Sequence, residues 1–333
     1  MNSIGKPERE TQNRIIAMFR DQLKYRYFGD FTDRQGNSNI EEGALSEYLT
    51  KCKYTPAQIS RAIHLLRIEA DNPNRSLYDN NRAVYSMLRY GVPVKIEAGK
   101  VAETVKLIDW EHADNNDFAI AEEVTLHGNL ERRPDLVLYV NGIAIGVIEL
   151  KNSYVSIGDG IRQLLSNQLP QFNEWFFSSV QIVFAGNDSE GLKYCTIKTP
   201  EKMFLRWKED EADYSCHKLD KYLLKMCRKA RLIELMHDFI LFDGGIKKLP
   251  RVHQYFGIKE AQKRILKYLG GIIWHTQGSG KSIVMGCWPS GFWRTCPRRA
   301  CSSSPTATNS TNKSPVSSPM PASTSSAPAA ATT

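Results

Sequence analysis

No stretch of this 333-residue sequence approaches the roughly 18 uncharged apolar residues that a membrane-spanning helix needs. The best run, Leu136 to Leu150, contains Asn141, Gly142 and Glu149 and lies between Asp135 and Lys151. The first ten residues, MNSIGKPERE, hold no apolar run of the signal-peptide kind. The seven cysteines are scattered and form no CxxC pair, which argues against a secreted disulfide scaffold. A soluble, cytoplasmic protein is the expectation. The histidines, among them His112, His127, His217, His237, His253 and His275, show no H-x3-H or Cys/His ligand spacing, which argues against a zinc site. With 24% charged and 41% hydrophobic residues the chain is neither collagen-like nor wholly disordered, and its length suggests about two domains.

The net charge of +8 is unevenly distributed. Residues 1–200 carry 23 Lys and Arg against 26 Asp and Glu, residues 201–285 carry 17 against 10, and residues 286–333 carry 4 against none. Basicity therefore belongs to the C-terminal part, where it suits either phosphate contacts or ordinary solvated helix faces.

Composition also marks the organisation. SNIEEGALSEYLTKC reads as a helix with Ser38 or Asn39 as N-cap. Further helices begin at Pro56 and at Ser76, the latter closed by Gly91. The period then shortens: TVKLIDW, FAIAEEVTLHG, LVLYV and IAIGVIELK read as β-rich segments, with Asn141-Gly142 favouring a tight type I′ turn between the last two. GIRQLLSNQLPQFNEWFF reads as an amphipathic helix before the strand VQIVFAG, and Trp175-Phe176-Phe177 as core packing. A small mixed β-sheet flanked by helices, one α/β domain over residues 1–200, is the expected fold. Apolar residues at three- and four-residue steps from Cys216 to Leu241 predict one long connecting helix within a linker, residues 201–250. After Met285 a Ser/Thr/Pro/Ala-rich stretch without acidic residues predicts a disordered tail, residues 286–333, of a kind that a shifted reading frame produces.

RPDLVLYVNGIAIGVIELK carries the most chemistry. A turn at Asn141-Gly142 brings Asp135, at the start of one strand, towards Glu149 and Lys151 near the end of its partner. Two carboxylates suit Mg²⁺, a hard cation, and the ammonium would orient or help deprotonate an attacking water; an ordinary same-face ion pair is the plainer alternative. These residues resemble the PD-(D/E)xK nuclease motif, Pro134-Asp135 with Glu149-Leu150-Lys151. That resemblance implies a restriction-endonuclease-like fold, Asp135 and Glu149 as metal ligands, and Gln163 on the following helix as a further catalytic residue, although Asn167 stands where tyrosine is usual. It also implies a glutamate on an early helix near the metal, for which Glu42 or Glu47 is the candidate.

GGIIWHTQGSGKSIVM reads as a buried strand from Ile272 to His275, a turn, and a helix opening near Lys281. Gly278 and Gly280 let backbone N–H groups close round phosphate oxygens, Lys281 reaches the terminal phosphates, and Ser282 holds Mg²⁺. His275 replaces the first glycine of the strict pattern. Together with CRKARLIELMHDFILFDGGIKKLPRVHQYFGIKEAQKRI, this stretch resembles the restriction (R) subunit of type I restriction-modification enzymes, a nuclease followed by a helicase-like translocase. By that resemblance residues 251–285 open a RecA-like translocase domain, Gln254 reads adenine, ATP and Mg²⁺ are cofactors, and DNA with methylation and specificity subunits are the partners. The expected activity is Mg²⁺-dependent DNA cleavage coupled to ATP-driven translocation. No Asp-Glu pair follows the loop, which predicts an incomplete ATP site in a truncated subunit; an inert binding fragment is the alternative reading.

Overall fold

In the computed structural model, residues 8–96, 99 and 101–287 are described. The chain opens with α1 (Glu8–Asp21), β1 (Arg26–Asp30), α2 (Glu42–Lys51), α3 (Pro56–Ala70) and α4 (Leu77–Tyr90). A small ladder of β2 (Val92–Val94) and β3 (Glu103–Val105) precedes β4 (Phe118–Glu122), β5 (Leu136–Val140), β6 (Ile143–Leu150) and α5 (Ile157–Asn167). After β7 (Ile182–Asn187), β8 (Gly191–Cys195) and β9 (Leu205–Arg206) come α6 (Lys218–Cys227), α7 (Lys229–Asp238), the hairpin β10 (Leu241–Asp243) and β11 (Ile246–Lys248), and α8 (Val252–Leu266).

The main sheet runs β1-β4-β5-β6-β7-β8-β9. The β1·β4 and β6·β7 pairs are parallel and the other four antiparallel, so the sheet is mixed as expected. Alternation along β5 sends Leu136, Leu138 and Val140 into one apolar layer and Val137 and Tyr139 into the other. The first layer is completed by α1–α4 and α6–α8, the second by α5 and the aromatic turn with Phe176 and Phe177. Among the described residues, no helix is long and apolar enough to cross a membrane.

Local signals decide several helix ends. Thr55 and Gln58 form a reciprocal capping box ahead of α3, Ser76 caps α4, and Gly91 ends α4 at φ +88°. Elsewhere the elements differ from the sequence reading. Helix α2 is preceded by Glu41, not Ser38 or Asn39, because Glu41 N–H bonds Gly142 O while Asn39 turns inward to Ser178 Oγ. Helix α5 begins at the Ser156 cap and ends at Asn167, three residues before Pro170, with a 3₁₀ turn over Glu174–Ser178. The expected long helix is two, parted at Arg228, whose extended backbone (ψ 130°) breaks the i→i−4 ladder. Residues 201–250, expected as a linker, pack into the main core through Leu219, Leu223, Met226 and Met236. The stretch 272–275 is not a buried strand: Ile272 and Trp274 are 89% and 88% exposed, and no described strand pairs with it. Residues 281–287 are helical, two residues past Met285, and the rest of the expected tail, 288–333, lies outside the described residues.

Candidate active site

The β5–β6 hairpin turns on Asn141 (φ +52°) and Gly142 (φ +79°), a type I′ pair. Asn141 is fixed by its side chain, which donates to Leu107 O and Asn116 Oδ1 and accepts from Asp117 N–H. Gly142 is pressed against α2, where a Cβ would lie 2.7 Å from Glu41 O and 2.8 Å from Leu45 N.

Register then decides the site. Near the turn, Val140 faces Ile143 and Tyr139 faces Ala144; beyond a bulge at Ile145, Leu138 faces Gly146 and Leu136 faces Ile148. One further step sets Asp135 opposite Glu149. An unbulged ladder from the same turn would have set Asp135 opposite Ile148 and sent Glu149 to the other face of the sheet. The bulge thus assigns both carboxylates to the face covered by α5. There Gly160 approaches so closely that a Cβ would lie 3.6 Å from Glu149 Cγ and 3.3 Å from Lys151 Cγ.

Leu150 N–H donates to Asp135 Oδ2 at 2.6 Å, and Lys151 Nζ donates to Glu149 Oε1 at 3.0 Å. Glu149 is fully buried, and its Oε2 has no hydrogen-bond partner. Burial foremost, and repulsion from Asp135 next, push the Glu149 carboxyl well above its usual range. Burial likewise pushes Asp135 up to about 7, against the opposing pull of Lys151 and the Leu150 N–H. Desolvation works against the Lys151 ammonium, but Glu149, Asp135 and Glu8 together outweigh it and raise its pKa.

A fully buried and a half-buried carboxylate facing one another, the former with an orphaned oxygen, are short of positive charge. That fits a hard divalent cation of the Mg²⁺ type, which binds through one or two carboxylates plus water and phosphate oxygens. Among the described residues no cluster of three or more Asp, Glu, Cys or His side chains has the geometry to hold a metal, so Asp135 and Glu149 would have to be joined by oxygens of another kind.

Of the glutamates on the early helices, Glu8, which the sequence reading did not single out, lies beside these residues. Its Oε1 lies 3.6 Å from Lys151 Nζ, whereas Glu42 pairs with Arg67 and Glu47 with Lys51. Its signal was an acidic residue at the mouth of an amphipathic helix that buries Ile15, Ile16 and Phe19. Gln163 sits half-buried on α5, three residues past Gly160, and Asn167 is buried with neither amide atom hydrogen-bonded.

The Gly278–Ser282 loop turns on its two glycines. Gly278 and Gly280 adopt φ +76° and +84°, and Lys281 Nζ lies across the loop on the carbonyls of His275 (3.2 Å) and Thr276 (3.3 Å). Ser282 is exposed on the first helical turn. Gln254 is buried beside the loop: its Nε2 donates to Ser279 O (2.9 Å) and Gly280 O (3.0 Å), and its Oε1 accepts from Arg251 N–H. Its amide therefore braces the loop backbone.

The sequence profile of the type I restriction enzyme R protein N terminus matches residues 5–202, the span that holds the whole carboxylate centre. The chain belongs to this family. A second profile, SWI2/SNF2 ATPase, matches residues 253–294, which include the phosphate-type loop. Among curated relatives, the putative type I restriction enzyme MjaIXP endonuclease subunit of Methanocaldococcus jannaschii is 28% identical over 255 residues, covering 65% of this chain and 24% of that protein. The type I restriction enzyme HindI endonuclease subunit of Haemophilus influenzae is 30% identical over 233 residues, 62% of this chain and 22% of its own length. The chain thus spans about a quarter of the length of these relatives. Over residues 5–202 it resembles the N-terminal region of type I restriction enzyme R proteins.

Proposed function

We propose that Asp135, Glu149 and Lys151 form the hydrolytic centre of a Mg²⁺-dependent DNA endonuclease. The observation that carries this reading is the fully buried Glu149, its Oε2 unpartnered, set opposite Asp135 and 3.0 Å from the Lys151 ammonium. A bound Mg²⁺ would supply charge neutralisation at the scissile phosphate and a water of lowered pKa. Asp135 and Glu149 would hold the ion through their carboxylate oxygens, and binding would displace the proton that Asp135 keeps near neutral pH. Lys151 stays an ammonium because three carboxylates surround it. It therefore donates to the phosphate or to the attacking water, and does not act as the base. Gln163, one turn along the helix that covers the site, would add a supporting contact.

In the assembled enzyme the same reading gives DNA as substrate, methylation and specificity subunits as partners, cytoplasmic location, and ATP-driven translocation through the Gly278–Ser282 loop, with Gln254 beside it. The reading is tested by cleavage of supercoiled plasmid with Mg²⁺ or Mn²⁺, using the full-length subunit with its partner subunits. Wild-type cleavage lost in Asp135→Asn and Glu149→Gln supports it; cleavage retained in both variants refutes it. An inert binding fragment would show DNA retention without nicking in the same assay.

A further inference from the structure

Helix α1 reaches the carboxylate centre at two points one turn apart. Glu8 approaches Lys151, and four residues later Gln12, only 3% exposed, turns its amide towards the start of β5. Gln12 Nε2 lies 3.3 Å from Asp135 O, 3.0 Å from Glu123 Oε1 and 3.3 Å from Glu122 Oε2. Asp135 O also accepts from Glu123 N–H at 2.9 Å, so both of its lone pairs are engaged. Glu123 holds a left-handed backbone (φ +49°), which is uncommon for a residue with a Cβ and needs its surroundings to keep it there.

Glu122 and Glu123 are otherwise balanced by cations reaching in from outside: Arg9 lies 2.8 Å from Glu122 Oε2, and Arg133 lies 2.7 Å from Glu123 Oε2. Gln12 is the neutral donor on the inner side of this pair. A carboxylate there would add negative charge beside Glu122, Glu123 and Asp135, and an aliphatic side chain would leave Asp135 O with one partner.

We infer that Gln12 is the positioning residue that fixes Asp135 for metal binding, by clamping its carbonyl to α1 while Leu150 N–H holds its carboxylate. This rests on the proposed hydrolytic centre. Asp135 lies one residue before β5, where Glu123 N–H is the one backbone partner of its carbonyl and Gln12 supplies the second. The clamp therefore ties the carbonyl of Asp135 to α1 as well as to the neighbouring strand, and Gln12 touches neither substrate nor the reacting atoms.

The test is calorimetric titration of the whole chain with Ca²⁺ and with Mg²⁺, beside thermal melts in EDTA, for wild type, Gln12→Met, Gln12→Glu and Asp135→Asn. Outer partners of metal ligands typically change affinity roughly 10–100-fold. Gln12→Met is expected to weaken cation binding about tenfold or more with a melting temperature close to wild type, and Gln12→Glu is expected to fail similarly despite conserved size. Asp135→Asn should abolish binding. If Gln12→Met binds as wild type does while Asp135→Asn does not, the inference is overturned and the hydrolytic centre stands. If affinity falls only in proportion to a lowered melting temperature, Gln12 is a packing residue and the inference is again overturned. No binding by wild type, or equal binding by Asp135→Asn, overturns the centre itself and the inference with it.

Discussion

Asp135 and Glu149 face each other across the β5–β6 ladder because Ile145 is bulged, and the N–H of Leu150, next to Glu149, donates to Asp135 Oδ2 at 2.6 Å. Two carboxylates at the end of an otherwise apolar hairpin destabilise the cation-free protein. Such conflict between local stability and placement is expected where function is selected.

Glu149→Gln should therefore raise stability while removing cleavage. In EDTA the neutral amide replaces a carboxyl whose ionised form is opposed by burial and by Asp135, so the variant should melt above wild type wherever the pH ionises Glu149. Lys151→Ala should also remove cleavage, yet lower stability at pH 8, since it leaves both carboxylates without their ammonium. Thermal melts beside plasmid cleavage by the full-length subunit check both; equal melting temperatures for the two variants would contradict the assigned electrostatics.

The pH dependence of stability follows from Asp135. Its carboxyl titrates near 7 in the folded protein and near the usual 3.8 once unfolded, so the folded state binds more protons in between. Stability from this group is complete below about pH 4 and is lost as pH rises through 7, a fall on the order of 4 kcal/mol at most. Urea unfolding in EDTA from pH 4.5 to 8 should show that decline, and Asp135→Asn should make it shallower, leaving the part that the raised Glu149 carboxyl contributes. Saturating Mg²⁺ should offset it above pH 7, because the ion binds the ionised form.

Gly142→Ala should destabilise the protein by roughly 3 kcal/mol or more. A Cβ at this left-handed position would meet the backbone of Glu41 and Leu45, which cannot rotate away as a side chain would. Gly36→Ala serves as a control: Gly36 has a similar φ of +73° but no atom within 4 Å of the added Cβ, so only the backbone preference is lost. Chemical denaturation of the two variants should separate clash from conformational strain.

ATP should bind this chain weakly, with a dissociation constant above roughly 100 µM, equivalent to less than about 5.5 kcal/mol. The loop preceding Lys281 is exposed from Ile272 to Trp274, and the Gln254 amide is engaged by Ser279 and Gly280, so neither wall is arranged beforehand around a nucleotide. Calorimetry with ATP and Mg²⁺, with Lys281→Ala as the blank, measures this directly.

Much of the molecule was legible in its residues. Pro56 and Ser76 marked the starts of two helices, Gly91 ended one, and Asn141-Gly142 marked the hairpin, because first-turn prolines, caps and type I′ turns depend on a few adjacent side chains and their allowed φ values. Asp135, Glu149 and Lys151 stood out because charges at the ends of strands that read Leu-Val-Leu-Tyr-Val and Ile-Ala-Ile-Gly-Val-Ile need an explanation. Contacts between residues far apart in sequence were not legible. Glu8 met Lys151, and Gln12 met Asp135, only when α1 packed on the sheet, since no local preference records which face of a helix a distant strand will meet. The bulge at Ile145 was equally hidden. Apolar residues fill β6 on both faces, so its alternation carries no phase, and the tertiary fit of Gly146 against Leu138, with Gln181 N–H on Ile145 O, selects the register that turns Glu149 towards Asp135.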